Sequence, residues 1–195
     1  MILNRNFYQQ PTLQVAEQLI GKLLIRTVGK QHLIGKIVET EAYIGENDSA
    51  CHAAKGLTPR TEVMFGEAGF SYIYLVYGMH FMLNIVTEKS NYPAAVLIRA
   101  VEPLKGISTM QSYRNTEIKE LCNGPAKLCQ AFAINKDLNN WDLTKGQALW
   151  LEDSDSQSKN EVIRSTRIGI HYANKKDRDA KWRFCHKNSG FVSRK

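Results

Sequence analysis

The sequence predicts a mixed α/β fold of the α+β type, in which helices pack around a largely antiparallel β-sheet. Strand pairs that can form hairpins outnumber strand–helix–strand units, and hairpins build antiparallel sheets. The chain has 195 residues, of which 43% are hydrophobic and 23% are charged, an ordinary globular mixture. No internal repeat and no linker divides it, so residues 1–195 are expected to form a single domain.

The first half of the chain is predicted to contain one helix and four strands. Leu13 and Ile20 recur at helical spacing, Pro11 precedes them, and Gly21 can close the helix. Residues 44–71 are rich in glycine and show little periodicity, so we expect a long loop, and loops of that length are often functional. The helix is expected at 12–21 and the strands at 23–28, 32–43, 70–77 and 81–87, paired as hairpins around residues 29–30 and 78.

The second half is predicted to alternate short strands with helices. Pro125 suits the first turn of a helix whose apolar side carries Leu128, Cys129 and Phe132. A turn is expected at 91–93. The remaining elements are expected as a strand at 94–101, a helix from 104 to about 113, strands at 148–151 and 167–171, and a polar surface loop at 154–160.

Composition and motifs disfavour several classes of protein. No apolar run reaches the ~18 residues that a membrane span needs, and the start lacks the layout of a signal peptide. The expectation is a soluble cytoplasmic protein. Phosphate-loop, Gly-x-Ser-x-Gly, His-Glu-x-x-His and zinc-deaminase patterns are absent. Four cysteines form no Cys-x-x-Cys pair, so we expect neither metal nor cofactor and interpret them as packing residues: Cys51, Cys122, Cys129 and Cys185.

The net charge of +7 is concentrated near the C-terminus. Residues 164–195 hold ten Lys or Arg against Asp177 and Asp179, a local charge of +8, whereas residues 1–163 carry −1. Such an excess is typical of a protein with a polyanionic partner, most simply nucleic acid. A basic surface that serves only solvation explains the same count equally well.

The strand at 32–43 carries candidate catalytic carboxylates. Alternate side chains of a strand share a face, so Glu39, Glu41 and Tyr43 point the same way. One interpretation is a carboxylate that projects into a pocket beside an aromatic wall, with Arg99 as the neighbouring cation. The other is a polar face exposed to solvent.

The predicted hairpin at 70–87 carries aromatic and amide side chains. Tyr72 and Tyr74 share one face of their strand, and Tyr77 takes the other. Gly78 permits a tight bend, so Tyr77 can stand at a loop tip and act as a wedge between nucleic-acid bases, although most strand aromatics are core residues. Asn84 interrupts an apolar strand, where a buried amide must find hydrogen-bond partners.

A set of motifs occurs in a fixed order and is more specific than any one of its members. The motifs are Val-Glu-Thr-Glu-Ala-Tyr (38–43), Ala-Cys-His (50–52), Met-Phe-Gly (64–66), Tyr-Ile-Tyr-Leu-Val-Tyr-Gly-Met (72–79), Leu-Ile-Arg-Ala-Val-Glu-Pro (97–103) and Asn-Gly-Pro-Ala-Lys-Leu-Cys-Gln-Ala (123–131). Together they strongly resemble the alkyladenine, or methylpurine, DNA glycosylase family from about residue 5 onward. The resemblance implies a single α/β domain with a curved antiparallel sheet.

The resemblance also implies roles for individual residues. Glu41 is implied to be the general base that activates a water, and Arg99 and the main chain near Ile168 are implied to hold that water. Asn84 is implied to exclude guanine by clashing with its exocyclic amine. The other implied site residues are Tyr43, Ala50, His52 and Tyr74 around the flipped base, with Tyr77 and Met79 inserted into the DNA.

The implied activity is a step of base-excision repair. An enzyme of this family would bind double-stranded DNA containing damaged purines and hydrolyse the N-glycosidic bond, leaving an abasic site without a lyase step. The expected substrates belong to the 3-methyladenine, 7-methylguanine, hypoxanthine and ethenoadenine class. The expected protein is a monomer without a membrane partner, of bacterial type and associated with the nucleoid.

Two other functions remain open at this point. A basic module that recognises distorted nucleic acid through Tyr77 without catalysis fits the charge and the aromatic tip. A nucleosidase or glycosidase that uses Glu39 and Glu41 on small substrates fits the carboxylates, although two residues apart on one strand places them side by side rather than across a bond.

Overall fold

The structure, a computed structural model, describes residues 1–154 and 161–193. Within these residues lie eight strands and six α-helices, which confirms the predicted mixed α/β class. The strands are β1 (Leu23–Val28), β2 (Gln31–Ile44), β3 (Ser71–Val76), β4 (His80–Val86), β5 (Ala94–Lys105), β6 (Leu149–Glu152), β7 (Val162–Ser165) and β8 (Arg183–His186). The helices are α1 (Arg5–Tyr8), α2 (Thr12–Gln18), α3 (Ile107–Tyr113), α4 (Ile118–Leu121), α5 (Pro125–Ala131) and α6 (Lys175–Asp179).

All strands join one antiparallel sheet. Its main path runs β3-β4-β5-β2-β1-β6. The long strand β2 pairs with β1 along its first half and with β8 further on, and β8 in turn pairs with β7. Register shifts between β2 and β5 mark β-bulges near Ile37 and Glu39, and bulges bend a strand and increase its twist. The bulged part of β2 is therefore the place where the sheet branches.

The two faces of the sheet have different environments. Residues that lie directly opposite each other in antiparallel pairs project from the same face. One such row crosses five strands, and it contains tyrosine, amide, carboxylate and guanidinium groups. The row is Tyr72, Asn84, Leu97, Glu41 and Arg183.

The opposite face of the sheet supports the hydrophobic core. Ile73, Ile85 and Ile98 project into it and pack with helices α2 and α5, where Leu128 and Phe132 are fully buried. Burying one such side chain stabilises the fold by roughly 1.5–3 kcal/mol. Because packing occupies one face, the polar row on the other face is left to form a site.

Several predicted boundaries were wrong. The strand expected at 167–171 is absent, because β8 is paired at Val162–Ser165 and the next residues turn toward β2. The helix expected from residue 104 begins at Ile107, since β5 continues to Lys105 and Gly106 adopts a φ of +78° that breaks the regular backbone.

Other predictions have different outcomes. The loop at 44–71 contains only short 3₁₀ turns, at His52–Lys55 and Glu62–Phe65. Residues 155–160 of the predicted surface loop lie outside the described residues. No helix among residues 1–154 and 161–193 is both long and apolar enough to cross a membrane.

Candidate active site

A cavity of about 650 Å³ opens on the polar face of the sheet. Strands β2, β3, β4 and β5 form one side of it, and loops on either side of the sheet form the other. Its lining brings together all the predicted base-pocket residues, namely Tyr43, Ala50, His52, Tyr74, Asn84 and Ile168, and it also includes Cys51, Arg60, Tyr72, Leu97, Arg99 and Tyr172.

Glu41 lies directly behind the cavity wall and has no exposed surface. Its Oε1 accepts a hydrogen bond from the Ile168 amide at 2.7 Å. Its Oε2 accepts from the Tyr43 hydroxyl at 2.9 Å and from Arg99 Nη1 at 3.3 Å. These three neighbours line the cavity, so the carboxylate lies directly beneath its surface without lining it. The interpretation of this strand as a solvated polar face is wrong.

Glu39, two residues earlier, is equally buried but more completely paired. Its carboxylate accepts hydrogen bonds from Arg99 Nε at 2.9 Å and from Arg183 Nε at 2.8 Å. The Ser193 amide and hydroxyl add bonds of 2.6 and 2.8 Å. Neither carboxylate lines the cavity itself. Glu41 hydrogen-bonds three residues that do, whereas the described partners of Glu39 include one of them, Arg99. The two carboxylates thus share Arg99 instead of facing each other across a substrate.

The environments of the two glutamates move their pKa values in opposite directions. Burial raises the pKa of Glu41, and this effect exceeds the lowering by Arg99, the Ile168 amide and Tyr43. Burial also raises the pKa of Glu39, but Arg99, Ser193 and Arg183 together lower it below its ordinary value. Glu41 is therefore the stronger base of the pair, which suits a proton acceptor.

Aromatic rings form the walls of the cavity. The rings of His52 and Tyr74 meet edge to face with centroids 4.4 Å apart, and His52 Nδ1 hydrogen-bonds the Tyr72 hydroxyl at 2.9 Å. Burial, with help from Arg60 and Lys55, lowers the pKa of His52 to about 4. The imidazole is therefore neutral at physiological pH and does not repel a positively charged ring system.

Two small or polar groups complete the pocket. Asn84 is buried, and its Nδ2 donates to the Tyr72 carbonyl at 3.1 Å, which gives the amide the partner that its burial demands. Ala50 is buried at the cavity wall, and its carbonyl accepts a hydrogen bond from the Tyr172 hydroxyl at 3.0 Å. Tyr172, which is 70% exposed at the cavity mouth, was not predicted; no periodic pattern surrounds it.

Behind Tyr43 lies a support that was also missed. Arg167 places its guanidinium 4.8 Å from the centroids of both Tyr43 and Trp182. Arg167 makes bidentate bonds of 2.6 and 2.8 Å to Asp48, and it also donates to the Ala42 carbonyl at 2.9 Å. This buried ion pair ties the loop after β2 to the loop after β7. Arg167 and Asp48 lie 119 residues apart in the sequence, so only the folded chain brings them together.

The turn between β3 and β4 projects two apolar side chains into solvent. Tyr77 is 89% exposed and Met79 is 68% exposed. Tyr77 and Gly78 have φ angles of 52° and 71°, and the Met79 amide donates to the Val76 carbonyl at 3.2 Å. These features define a type I′ turn. The prediction that Tyr77 stands at a loop tip is confirmed, and Tyr77 also reaches the cavity rim.

The four cysteines are free and buried, as the packing interpretation predicted. Cys51 lies in the cavity wall, where burial raises the pKa of its thiol to about 12. Within residues 1–154 and 161–193, no three His, Cys, Asp or Glu side chains cluster closely enough to hold a metal ion.

Comparison with known proteins agrees with this geometry. A family model described as methylpurine-DNA glycosylase (MPG) matches residues 6–190. A protein of Methanocella arvoryzae, named "Putative 3-methyladenine DNA glycosylase", is 49% identical over 196 residues, which cover 100% of this chain and 96% of the relative. Proteins of the same name from Alkaliphilus oremlandii and Carboxydothermus hydrogenoformans are each 45% identical, with complete coverage of both chains.

An α/β domain with an aromatic cavity above a buried carboxylate, together with these matches, defines a DNA N-glycosylase, an enzyme of DNA base-excision repair. The family match extends over nearly the whole chain. The chain belongs to the methylpurine-DNA glycosylase family.

Proposed function

We propose that this DNA N-glycosylase removes alkylated and deaminated purines, of the 3-methyladenine, 7-methylguanine, hypoxanthine and ethenoadenine class, from double-stranded DNA. It acts as a monomer and leaves an abasic site by hydrolysis, without a lyase step. The observation that carries the proposal is Glu41, which is buried and basic directly beneath a cavity whose aromatic walls accommodate a purine.

In this proposal, the damaged nucleotide leaves the duplex before it reacts. Rotation out of the stack costs a few kcal/mol, and Tyr77, followed by Met79, offsets part of that cost by occupying the gap. The base stacks between Tyr43 on one side and His52 and Tyr74 on the other, and each aromatic contact contributes roughly 1–3 kcal/mol. Alkylated purines pair poorly and flip at lower cost, so discrimination starts before the cavity is reached.

Asn84 would supply discrimination inside the cavity, where Ala50 forms part of the wall. The Asn84 amide is held by the Tyr72 carbonyl and cannot turn away without losing that bond. A guanine would bring its exocyclic amine against this fixed group, whereas adenine and hypoxanthine carry no amine at that position. This steric exclusion limits attack on normal guanine. 7-Methylguanine carries the same amine and meets the same clash, but its positive charge makes it a better leaving group than guanine.

The chemical step is hydrolysis of the bond between the purine nitrogen and C1′. As that bond breaks, its electron pair leaves with the base and positive charge develops on the sugar, where the negative Glu41 stabilises it. The water oxygen forms the new bond to C1′, and Glu41 accepts the proton that the water loses. A positively charged alkylpurine leaves without further protonation.

The hydrogen bonds of Glu41 leave one acceptor position free for such a water. A carboxylate has about four acceptor positions, and the described residues Tyr43, Arg99 and Ile168 use three of them. The fourth lies on Oε1, next to the Ile168 backbone at the cavity wall. Arg99 keeps the opposite oxygen in place, so a water at Oε1 is held by both the carboxylate and the main chain.

The test is the variant Glu41→Gln, which keeps the shape of the side chain and removes its basicity. Loss of the general base is expected to reduce single-turnover base release by about 10²–10⁴-fold. Affinity for lesion-containing duplexes is expected to stay near that of wild type. Duplexes with hypoxanthine, ethenoadenine and a methylated purine would be compared.

Glu102→Gln is the matched control, because Glu102 lies on β5 in a partly exposed pair with Lys36 and outside the cavity. It should release bases at the wild-type rate. Near-wild-type release by Glu41→Gln would overturn the assignment of the general base, and the absence of release by the wild-type protein from all three lesions would overturn the substrate class.

A further inference from the structure

Arg99 holds both glutamates of β2, but through different atoms. Its Nε donates to Glu39 at 2.9 Å, its Nη1 donates to Glu41 at 3.3 Å, and its Nη2 donates to the Ser193 hydroxyl at 3.3 Å. Ser193 in turn donates to Glu39 through both its amide and its hydroxyl. The guanidinium is thus anchored on two sides before it reaches Glu41.

A guanidinium is planar and rigid, so fixing two of its nitrogens fixes the third. Nε and Nη2 are fixed by Glu39 and Ser193, and the position of Nη1 follows from them. Glu39 is itself held in place by Arg183 at 2.8 Å. The bond from Nη1 to Glu41 is the longest in this network that involves a carboxylate, which makes it the contact most dependent on the others.

We propose that Glu39 is a positioning residue of the reaction: with Ser193, it orients Arg99 so that Nη1 holds Glu41 under the cavity. This inference rests on the proposed function and extends it. It gives the C-terminal segment a part in catalysis, because Ser193 lies 152 residues from Glu41 in the sequence yet touches the guanidinium that holds it.

The charges of the network lead to a specific consequence. Two guanidinium groups, Arg99 and Arg183, neutralise two carboxylates, and Glu39 takes a bond from each guanidinium. Replacing Glu39 with glutamine leaves Arg99 with Glu41 as its only carboxylate partner within the described residues. The ionised form of Glu41 is then favoured, and Glu41 becomes a weaker base.

Other titratable groups around Glu41 do not change in this experiment. Its own strand β2 contributes Tyr43, and strand β3 contributes Tyr74. Arg167 and Tyr172 approach from the loop after β7. From β8, Arg183 and Cys185 face the network near Glu39. The negative charge of Glu39 also raises the pKa of Glu41 directly. A shift in the pH profile on replacing Glu39 therefore reports the loss of that charge, both directly and through Arg99, and the fall in the plateau rate reports the loss of positioning.

The experiment measures single-turnover base release against pH, lesion-DNA affinity and the folded fraction by circular dichroism, with the lesion that the wild-type protein releases fastest. In Glu39→Gln the plateau rate is expected to fall by about tenfold or more, because a loosened general base loses part of its contribution. The ascending limb of the plot of base-release rate against pH should move to lower pH. The affinity for lesion-containing DNA should change by less than about threefold. Ser193→Ala should lower the plateau rate by a few-fold, about the effect of one lost hydrogen bond.

Further variants separate the possible outcomes. Glu102→Gln should match wild type, and Glu39→Asp should recover part of the rate because it restores the charge. The proposal would be overturned if the base-release rate of Glu39→Gln fell only in proportion to its folded fraction and the ascending limb of its pH–rate profile stayed in place. If Glu39→Gln does not fold, the test uses Ser193→Ala and Glu39→Asp. Wild-type plateau rates in both variants would overturn the positioning role of Glu39. Near-wild-type base release by Glu41→Gln would instead overturn the general base of the proposed function, and no release by the wild-type protein would overturn its substrate class.

Discussion

At the scale of single residues, the two glutamates of β2 show how neighbours decide what a carboxylate can do. Glu39 and Glu41 project from the same face and are both inaccessible to solvent. Glu39 has two guanidinium partners and two bonds from Ser193, so it is held ionised. Glu41 has a share of one guanidinium, so burial leaves it basic. Both residues are glutamates on one face of the same strand, and they differ in the number of guanidinium groups that bind them.

The pH dependence of base release follows from this residue-scale difference. Glu41 must be ionised to accept a proton, so the rate should rise with pH and level off above the pKa of Glu41. Burial raises that pKa, so the midpoint should lie above the ordinary value of 4.5. His52 should add no step between pH 5 and 8, because its pKa is lowered to about 4.

Single-turnover rates from pH 4 to 9 on a neutral lesion would test this, with folding checked at each pH. The variant His52→Gln should keep the midpoint of the wild-type profile even if its rate is lower. A midpoint below 4.5, or one that moves in His52→Gln, would contradict the assignment of the titrating group to Glu41.

At the scale of elements, the β3–β4 hairpin joins the cavity to the proposed DNA wedge. Tyr74 lies in the cavity wall and Tyr77 at the tip, only three residues further along the same hairpin. Tyr77 adopts a φ of 52°, a left-handed conformation that costs a residue other than glycine, asparagine or aspartate roughly 1 kcal/mol. A tyrosine at this position therefore lowers the stability of the fold, and the proposed insertion into DNA explains why a tyrosine stands there.

The variant Tyr77→Asn should separate stability from function. Asparagine tolerates the left-handed conformation and Tyr77 is almost fully exposed, so the free energy of unfolding should stay the same or increase by up to about 1 kcal/mol. Lesion affinity and base release should both fall, because no ring fills the gap in the duplex. Denaturant unfolding and single-turnover assays on the same preparation would measure both effects.

Phe81→Asn is a suitable comparison for this hairpin, since Phe81 on β4 packs against the hydrophobic core and does not line the cavity. It should cost stability without abolishing base release. A Tyr77→Asn protein that is clearly less stable than wild type, or one that binds and releases damaged bases normally, would contradict the proposed trade-off.

The elements also show which parts of the fold could be predicted from the sequence. Hairpins such as β1–β2 and β3–β4 were predicted because apolar runs of the right length flank short glycine-containing turns. Strand β8 and helix α6 were missed, since four or five residues of Arg183–His186 or Lys175–Asp179 carry too little periodicity. Their stability comes from distant partners, as when β8 pairs with β2 across more than 140 residues of sequence.

The candidate site was predicted to a similar extent and for similar reasons. Motif resemblance placed Glu41, Tyr43 and His52 in one pocket, and the cavity brings them together. The partners of Arg167 and the bonds from Ser193 to Glu39 were not predicted. A buried guanidinium and an exposed one look alike in a sequence, because only the folded chain determines where each side chain lies.

At the scale of the whole molecule, the same point changes the meaning of the basic C-terminal region. The local charge of +8 counts Arg167 and Arg183, but both are buried in ion pairs with Asp48 and Glu39 and cannot meet a DNA backbone. The exposed cations of this region include Lys175 and Lys176 on α6. Helix α6 begins two residues after Ala173, beside the cavity mouth where Tyr172 lies.

We expect α6 to supply phosphate contacts, and the salt dependence of binding would measure them. Each lysine that neutralises one phosphate contributes about 0.9 to the slope of log affinity against log salt. The double variant Lys175→Gln/Lys176→Gln should therefore lower the slope by up to about 2. It should weaken binding to lesion-containing and undamaged duplexes by the same factor.

Lys30→Gln is the matched control, because Lys30 is exposed in the β1–β2 turn, at the far end of β2 from Glu41. Eleven strand positions separate the two residues, roughly 35 Å at about 3.3 Å per residue. An unchanged slope in the α6 variant, or an equal loss in Lys30→Gln, would show that DNA lies on another surface of the molecule.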